Sequence, residues 1–258
     1  AEDGIRDVER SRGLGDVYKR QILPNETLNL AFCLIIIIFL ASTILELPIP
    51  FSQTLVAYLI GASLTLSLPI NYGYVMLIFL SWILTPPISL LSSSVIVKIF
   101  ELWMGKAKVW RRALLCKVLL IIASIYTAYV FGINTLGLLS AILSSYVGSF
   151  LEATFLILSG ASIGVILTRE RGMRRVSRGI YQIGYLSGAS SQIGGALVIE
   201  IFTQLGVPIS VTQSIVSGII GSALTKRVKM INWKNFAVIL AQWFLTPLIG
   251  FFIGFLFT

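Results

Sequence analysis

Six long stretches without a charged residue dominate the chain. They cover residues 27–45, 47–97, 118–151, 179–199, 201–225 and 235–258. Each holds 19 residues or more, and a helix that crosses a bilayer needs about 20. The period-2 alternation typical of barrel strands is absent from them. Because backbone groups in hydrocarbon must pair within a helix or a closed barrel, the pattern predicts an all-α polytopic protein of the cell membrane.

These stretches divide into nine predicted apolar segments. They are residues 28–45, 52–68 and 72–100, then 113–131, 133–150 and 151–167, and finally 183–205, 212–224 and 235–257. Composition agrees with a membrane protein, since 56% of the 258 residues are hydrophobic and 12% are charged, against about 25% charged in soluble domains. We therefore expect neither a soluble enzyme nor a nucleic-acid-binding protein.

Histidine and cysteine chemistry is nearly absent from the sequence. There is no histidine, and Cys33 and Cys116 both lie in apolar segments. A zinc site or a Cys/His catalytic site therefore cannot be assembled, and no disulfide need be invoked. We expect a protein that is not an enzyme and that uses no metal or cofactor.

The first 21 residues differ in composition from the rest. Residues 1–21 carry five acidic and five basic side chains and then give way abruptly to an apolar sequence at Ile22. They lack the apolar core of a signal peptide. The stretch reads as a non-native arm from cloning read-through, with a disordered native tail as the alternative, and we exclude it from fold reasoning.

The second half of the chain repeats the first. Residues 46–63 align with residues 206–223 at an offset of 160, and after one inserted residue the match continues at an offset of 161. The matched pairs include Pro48 with Pro208, Gln53 with Gln213, Gly61 with Gly221, Trp82 with Trp243 and Pro86 with Pro247. This self-similarity predicts two copies, residues 22–112 and 113–258. We expect the first copy to be truncated, because the position equivalent to Gly132 would precede residue 1.

Loop charges indicate opposite orientations for the two copies. Residues 69–71 carry no charge, whereas the equivalent stretch 226–234 carries four bases. The flank at 24–26 has no base, whereas its counterpart 169–178 has five. By the positive-inside rule, a basic loop and its uncharged counterpart lie on opposite sides of the membrane. We therefore expect inverted-topology repeats, which are typical of secondary transporters and also occur in a few channels.

One apolar segment is predicted to be broken or re-entrant. The basic loops at 106–112 and 169–178 should share one side of the membrane, yet three apolar segments separate them. One of these therefore does not cross. The best candidate is 133–150, which is short and opens with Gly132 and Asn134. Such non-helical backbone is tolerated where protein or a water-filled cavity surrounds it.

A Pro-x-x-x-[Ser/Thr]-Gln-[Thr/Ser] element occurs once in each copy. Its polar residues and their neighbours are Ser52, Gln53 and Thr54 in the first copy and Ser210, Thr212, Gln213 and Ser214 in the second. Ser52 and Thr212 are predicted N-caps. Free backbone N–H groups, hydroxyls and amides would form a neutral cluster of donors that can hold an oxyanion. The alternative is that these residues only cap and pack helices.

Two carboxylates lie within or beside the apolar segments. Glu200 and Glu152 are candidates for a role with a proton or a coupling ion, because an ionisable group inside a membrane is costly and often functional. The alternative for both is a position near the membrane surface.

At these elements the chain resembles the inorganic phosphate transporter (PiT) family. PIPFSQT and PISVTQS look like the family's Pro-Val-Ser-Thr-Thr-His element, and GINTLG at 132–137 looks like its Gly-Ala-Asn-Asp signature. The resemblance covers roughly residues 28–258. It implies two inverted repeats and Na⁺- or H⁺-coupled uptake of phosphate, with Asn134 and Thr135 in the substrate site. It also makes Gln192, where the family usually has a glutamate, a coupling-ion candidate beside Glu200.

Departures from the family pattern leave alternatives open. The signature's aspartate corresponds to Thr135, and the histidine of the repeated element corresponds to Gln53 and Gln213. The expected partners are phosphate or sulfate, Na⁺ or H⁺, the lipid bilayer and a second copy in a homodimer. A sulfate permease is the alternative within transport, and a passive anion channel lined by neutral donors is the alternative outside it.

Overall fold

The structure, a computed structural model, describes residues 24–45, 48–105, 108–168, 183–227 and 231–258. The arm at 1–21 and the basic loop at 169–178 lie outside the described residues. Within them, the helices are α1 (Asn25–Leu45), α2 (Phe51–Thr65), α3 (Tyr72–Met104), α4 (Val109–Phe131), α5 (Gly137–Val147), α6 (Phe150–Thr168), α7 (Tyr185–Gln204), α8 (Val211–Thr225) and α9 (Trp233–Leu256). No strand occurs in this part of the chain, so the all-α prediction is confirmed.

In the described part of the chain, four helical runs are long and apolar enough to cross a membrane. They are Asn25–Ser42, Tyr72–Met104, Val109–Val147 and Trp233–Leu256. Large apolar side chains point outward from them, among them Ile37, Ile125 and Phe244. Such exposure is stable when hydrocarbon surrounds the helix, because lipid tails are as apolar as these side chains. The chain is a multi-pass membrane protein, as predicted.

The segment predicted to be broken is helical. A π-helical turn, Gly132–Leu136, joins α4 to α5, so the helical run continues from Val109 to Val147. The run ends at Gly148, whose φ of 81° is left-handed and suits glycine. The predicted break is thus a π segment: the backbone keeps its internal hydrogen bonds and inserts one wider turn. Its path through the bilayer stays a prediction.

Each short helix of one repeat packs on the long helix of the other. α2 lies against the second half of α9, and α8 lies against α3. A Cβ added at Gly61 on α2 would come closer than 3.0 Å to the backbone of Phe251, and one added at Gly221 on α8 would meet the backbone of Leu90 in the same way. These residues occupy equivalent repeat positions. The two interfaces are therefore the same contact made twice.

α7 packs against helices of both repeats. It contacts α3, α4 and α8, and serines and glycines make up much of its buried surface. A Cβ at Gly194 would collide with the backbone of Ser93 on α3, and one at Gly195 would crowd Ile215 on α8. Small residues here let the three backbones approach closely. This arrangement holds the start of α8 beside α3.

Candidate functional site

A hydrogen bond between two equivalent glutamines lies at the centre of the candidate site. Gln53 Nε2 donates to Gln213 Oε1 over 2.8 Å, and the two residues stand 160 positions apart. Each belongs to the first turn of its helix, α2 or α8. Both are buried, with 1% and 4% of their surface exposed. The structure therefore brings the N-termini of the two short helices together.

The helix caps differ from the prediction. The N-cap of α2 is Pro50, and that of α8 is Ser210, whose Oγ accepts a hydrogen bond from the Gln213 N–H. Ser52 and Thr212 were expected as caps, and both expectations are wrong, because each already lies within the first helical turn. Pro50 has no backbone N–H that would need an acceptor, and its φ of −78° leads directly into a helix. The hydroxyl of Thr212 pairs instead with that of Ser210, at 2.8 Å.

The π segment brings two further predicted residues to the start of α2. Thr135 Oγ1 lies 3.5 Å from Ser52 Oγ. The neighbouring Asn134 donates from Nδ2 to Thr203 Oγ1 on α7 over 2.8 Å. Asn134 and Thr135 are both 2% exposed. The second copy's signature therefore packs against the first copy's repeated element.

Two carbonyl oxygens in this region have no hydrogen-bond partner among the residues that the structure describes. They are Gln53 Oε1 and Asn134 Oδ1, and both are buried. A buried acceptor without a donor is costly, and native proteins pair the great majority of such atoms. The site therefore offers two acceptors to a donor group or a small cation that enters it.

Four other predicted residues form hydrogen bonds within or between helices, away from the glutamine pair. Thr54 Oγ1 donates to the Pro50 carbonyl oxygen over 3.0 Å, and Ser214 Oγ donates to the Gly195 carbonyl oxygen over 2.8 Å. The coupling-ion candidates lie on α7 facing α4. Gln192 Oε1 accepts from Ser124 Oγ over 2.9 Å, and Glu200 accepts from the Tyr126 hydroxyl. Glu152, at the start of α6, is exposed.

A cavity of about 490 Å³ opens beside the glutamine pair. Its lining includes equivalent residues from both repeats: Gln53 with Gln213, Trp82 with Trp243, Pro86 with Pro247 and Phe79 with Leu240. The described side chains that line it include no charged group, and most are apolar. The cavity is therefore lined by residues of both repeats, with Gln53 and Gln213 among them.

Two aromatic residues support the site in a way that the sequence did not predict. Tyr74 donates from its hydroxyl to the Gly206 carbonyl oxygen, and Trp82 donates from Nε1 to the Pro208 carbonyl oxygen over 3.2 Å. The acceptors lie in the loop that leads into α8. The equivalence of Trp82 with Trp243 was the available signal for a shared role.

Comparison with known proteins identifies the family. The profile of the Phosphate transporter family matches residues 106–254. A protein of Methanocaldococcus jannaschii named "Putative phosphate permease" is 30% identical over 218 residues, which cover 83% of this chain and 69% of that protein. The chain belongs to the phosphate transporter family.

Other members of the phosphate transporter family match shorter stretches. A protein of the same name from Pyrococcus horikoshii is 34% identical over 38% of this chain and 24% of its own length. The "Probable low-affinity inorganic phosphate transporter" of Rhizobium meliloti is 26% identical over 44% of this chain and 36% of its own length. No solved structure matches the chain.

Proposed function

We propose that the chain moves inorganic phosphate across the cell membrane, coupled to Na⁺ or H⁺. The N-terminal ends of α2 and α8 would form the substrate site. The hydrogen bond between Gln53 and Gln213 carries this proposal, because it joins equivalent donor-bearing helix starts from the two repeats. Helix N-termini, amides and hydroxyls can hold an oxyanion without a fixed cation. Ser52, Thr135, Ser210 and Thr212 would supply the further donors.

An inverted arrangement of the repeats is part of the proposal. Where α2 contacts α9, the residue numbers increase in the same direction along both helices, since Thr54 meets Gly250 and Tyr58 meets Gly254. These two helices therefore run parallel. The equivalent contacts, Ser89 with Ser214 and Ser93 with Gly218, make α3 and α8 parallel as well.

The chain turns back between α2 and α3. Ala57 on α2 and Trp82 on α3 line the same cavity, so the chain must reverse direction between them. α8 then runs parallel to α3 and opposite to its equivalent, α2. Antiparallel equivalent helices support inverted repeats, in which a substrate site at the repeat interface can open to either side.

The proposed binding site for the coupling ion is formed by the two carbonyl oxygens without a hydrogen-bond partner among the described residues. Gln53 Oε1 lies on α2 and Asn134 Oδ1 lies in the π segment, and each adjoins a residue of the Ser52–Thr135 contact. Neutral oxygen ligands of this kind suit a hard cation or a group that donates a proton. The positive charge of a bound cation would also attract the anion. Gln192 and Glu200, on the face of α7 toward α4, are the candidates for proton or ion transfer beyond the site.

Uptake by proteoliposomes tests the proposal. The 258-residue chain should accumulate labelled phosphate saturably and against its gradient when an inward Na⁺ or H⁺ gradient is applied. Replacing Ser210, Thr212 and Gln213 with alanine should lower uptake about tenfold or more, because three donors worth about 0.5–1.5 kcal/mol each are removed. Flat uptake by the parent chain would contradict the proposal.

The same assay separates the alternatives. Stronger competition by sulfate than by unlabelled phosphate would indicate a sulfate permease. Equilibration without accumulation would indicate a passive anion channel, since a channel cannot move its ion against a gradient.

A further inference from the structure

Two hydrogen bonds join the loop that precedes α8 to α3. The Tyr74 hydroxyl bonds the Gly206 carbonyl oxygen, and the Trp82 indole N–H bonds the Pro208 carbonyl oxygen. Between and after these acceptors, Val207 and Ile209 have no exposed surface. The loop ends at Ser210, the cap of α8, so these two bonds hold one half of the candidate site in place. We call Tyr74 and Trp82 the α3 clasp.

The tryptophan bond of the equivalent α9 clasp is not formed. Trp243 occupies the position of Trp82 and is 4% exposed, yet its indole N–H has no hydrogen-bond partner among the described residues. The carbonyl group equivalent to that of Pro208 belongs to Pro48, in the loop that enters α2. Pro48 and Ile49 are half-buried, unlike their counterparts in the other loop.

Trp82 and Trp243 line the same cavity but differ in their hydrogen bonding. A buried indole N–H almost always has an acceptor, since leaving it unpaired costs the whole of its lost hydration. The copies share the tryptophan and the proline, so the same bond is chemically available to each. The described structure uses it in one copy and leaves its equivalent open in the other.

We propose that the α3 clasp positions the Ser210 loop in the state described here, and that the two clasps exchange during transport. In the opposite state Trp243 Nε1 donates to the Pro48 carbonyl oxygen and Trp82 releases Pro208. The inference rests on the proposed transport function, in which one site is exposed alternately to two sides. Each release would loosen the loop that caps one short helix while the other loop is held.

The sequence makes the two clasps unequal. The position equivalent to Tyr74 is Asn235, whose shorter side chain cannot copy the tyrosine's reach. The α9 clasp therefore has one aromatic donor, whereas the α3 clasp has two. In the absence of substrate, the state with the α3 clasp closed should be the more populated one.

Cysteine labelling in the full chain, without phosphate, tests the exchange. Reporter cysteines at Val207 and at Ile49 would be placed singly in a background in which Cys33 and Cys116 are replaced. Trp82→Phe should raise the labelling rate at 207 about fivefold, the factor that corresponds to one hydrogen bond of about 1 kcal/mol, and lower the rate at 49. Tyr74→Phe, which removes only a hydroxyl, should shift both rates in the same directions.

Trp243→Phe is the matched control. It makes the same ring change at an equivalent position whose N–H is unpaired, so it should not raise the rate at 207. If Trp82→Phe leaves the rate at 207 unchanged, or raises labelling at both reporters as general loosening would, the clasp exchange is refuted. Because the assay contains no phosphate, opposite shifts in a chain that fails to transport would overturn only the proposed function. Transport with unshifted labelling would overturn only the clasp exchange.

Discussion

Gly221→Ala is expected to destabilise the protein by about 3 kcal/mol, near the upper end for an overpacked site. The added Cβ would lie less than 3.0 Å from the carbonyl oxygen of Leu90 on α3, and this atom belongs to the backbone. A backbone atom in a packed helix cannot rotate away as a side chain can. α8 would have to move off α3, and Gln213 would move with it.

Melting in detergent and the fraction of monodisperse protein would measure this effect. Gly61→Ala should give a comparable loss, because its added Cβ meets the carbonyl oxygen of Phe251 on α9 in the equivalent contact. Gly160→Ala on α6 is the control, since no atom of the described residues lies within 4 Å of its added Cβ and alanine favours a helix. Gly221→Ala that melts with the parent protein would contradict the described interface.

Gln213→Glu is expected to abolish phosphate uptake, with a loss of about a hundredfold or more. The substitution keeps the size of the side chain, removes its amide donor and places an ionisable carboxyl group in a site that is 4% exposed. A carboxylate there would repel the anion and would need a cation or a proton of its own. Gln53→Glu, at the other end of the bond, should have the same effect.

Uptake at several pH values checks this second prediction. Uptake by Gln213→Glu should recover partly as pH falls, because protonation removes the negative charge and restores a donor. Gln204→Glu makes the same chemical change at an exposed residue at the end of α7, and it should transport as the parent chain does. A Gln213→Glu variant with parental uptake at neutral pH would exclude the glutamine pair from the substrate site.

Much of the architecture was predictable because it depends on local composition. Long uncharged stretches between basic loops mark the helices, and the ends of α3 and α9 fall within a few residues of the predicted segments. The matched residues of the two copies also identified the Gln53 and Gln213 positions before any contact was known. The caps were predicted less well, because a proline before the helix competes with the serine or threonine that follows it.

The pairing of side chains was not predictable in the same way. Nothing in the local sequence says that Gln53 bonds its own equivalent, that Thr135 reaches Ser52, or that Gly221 meets α3. These contacts depend on which helices become neighbours after folding. Two equivalent tryptophans can also differ in their hydrogen bonding, as Trp82 and Trp243 do.

The sequence by itself therefore determined the class of protein, the approximate helices, the internal repeat and the two elements that carry donors. The tertiary structure alone decided that these elements meet, that each short helix packs on the long helix of the other repeat, and that one clasp is closed. The physical reason is the range of the interactions. Apolar periodicity and capping act over one or two turns, whereas hydrogen bonds between repeats depend on the positions of residues 83 to 160 places apart in the chain.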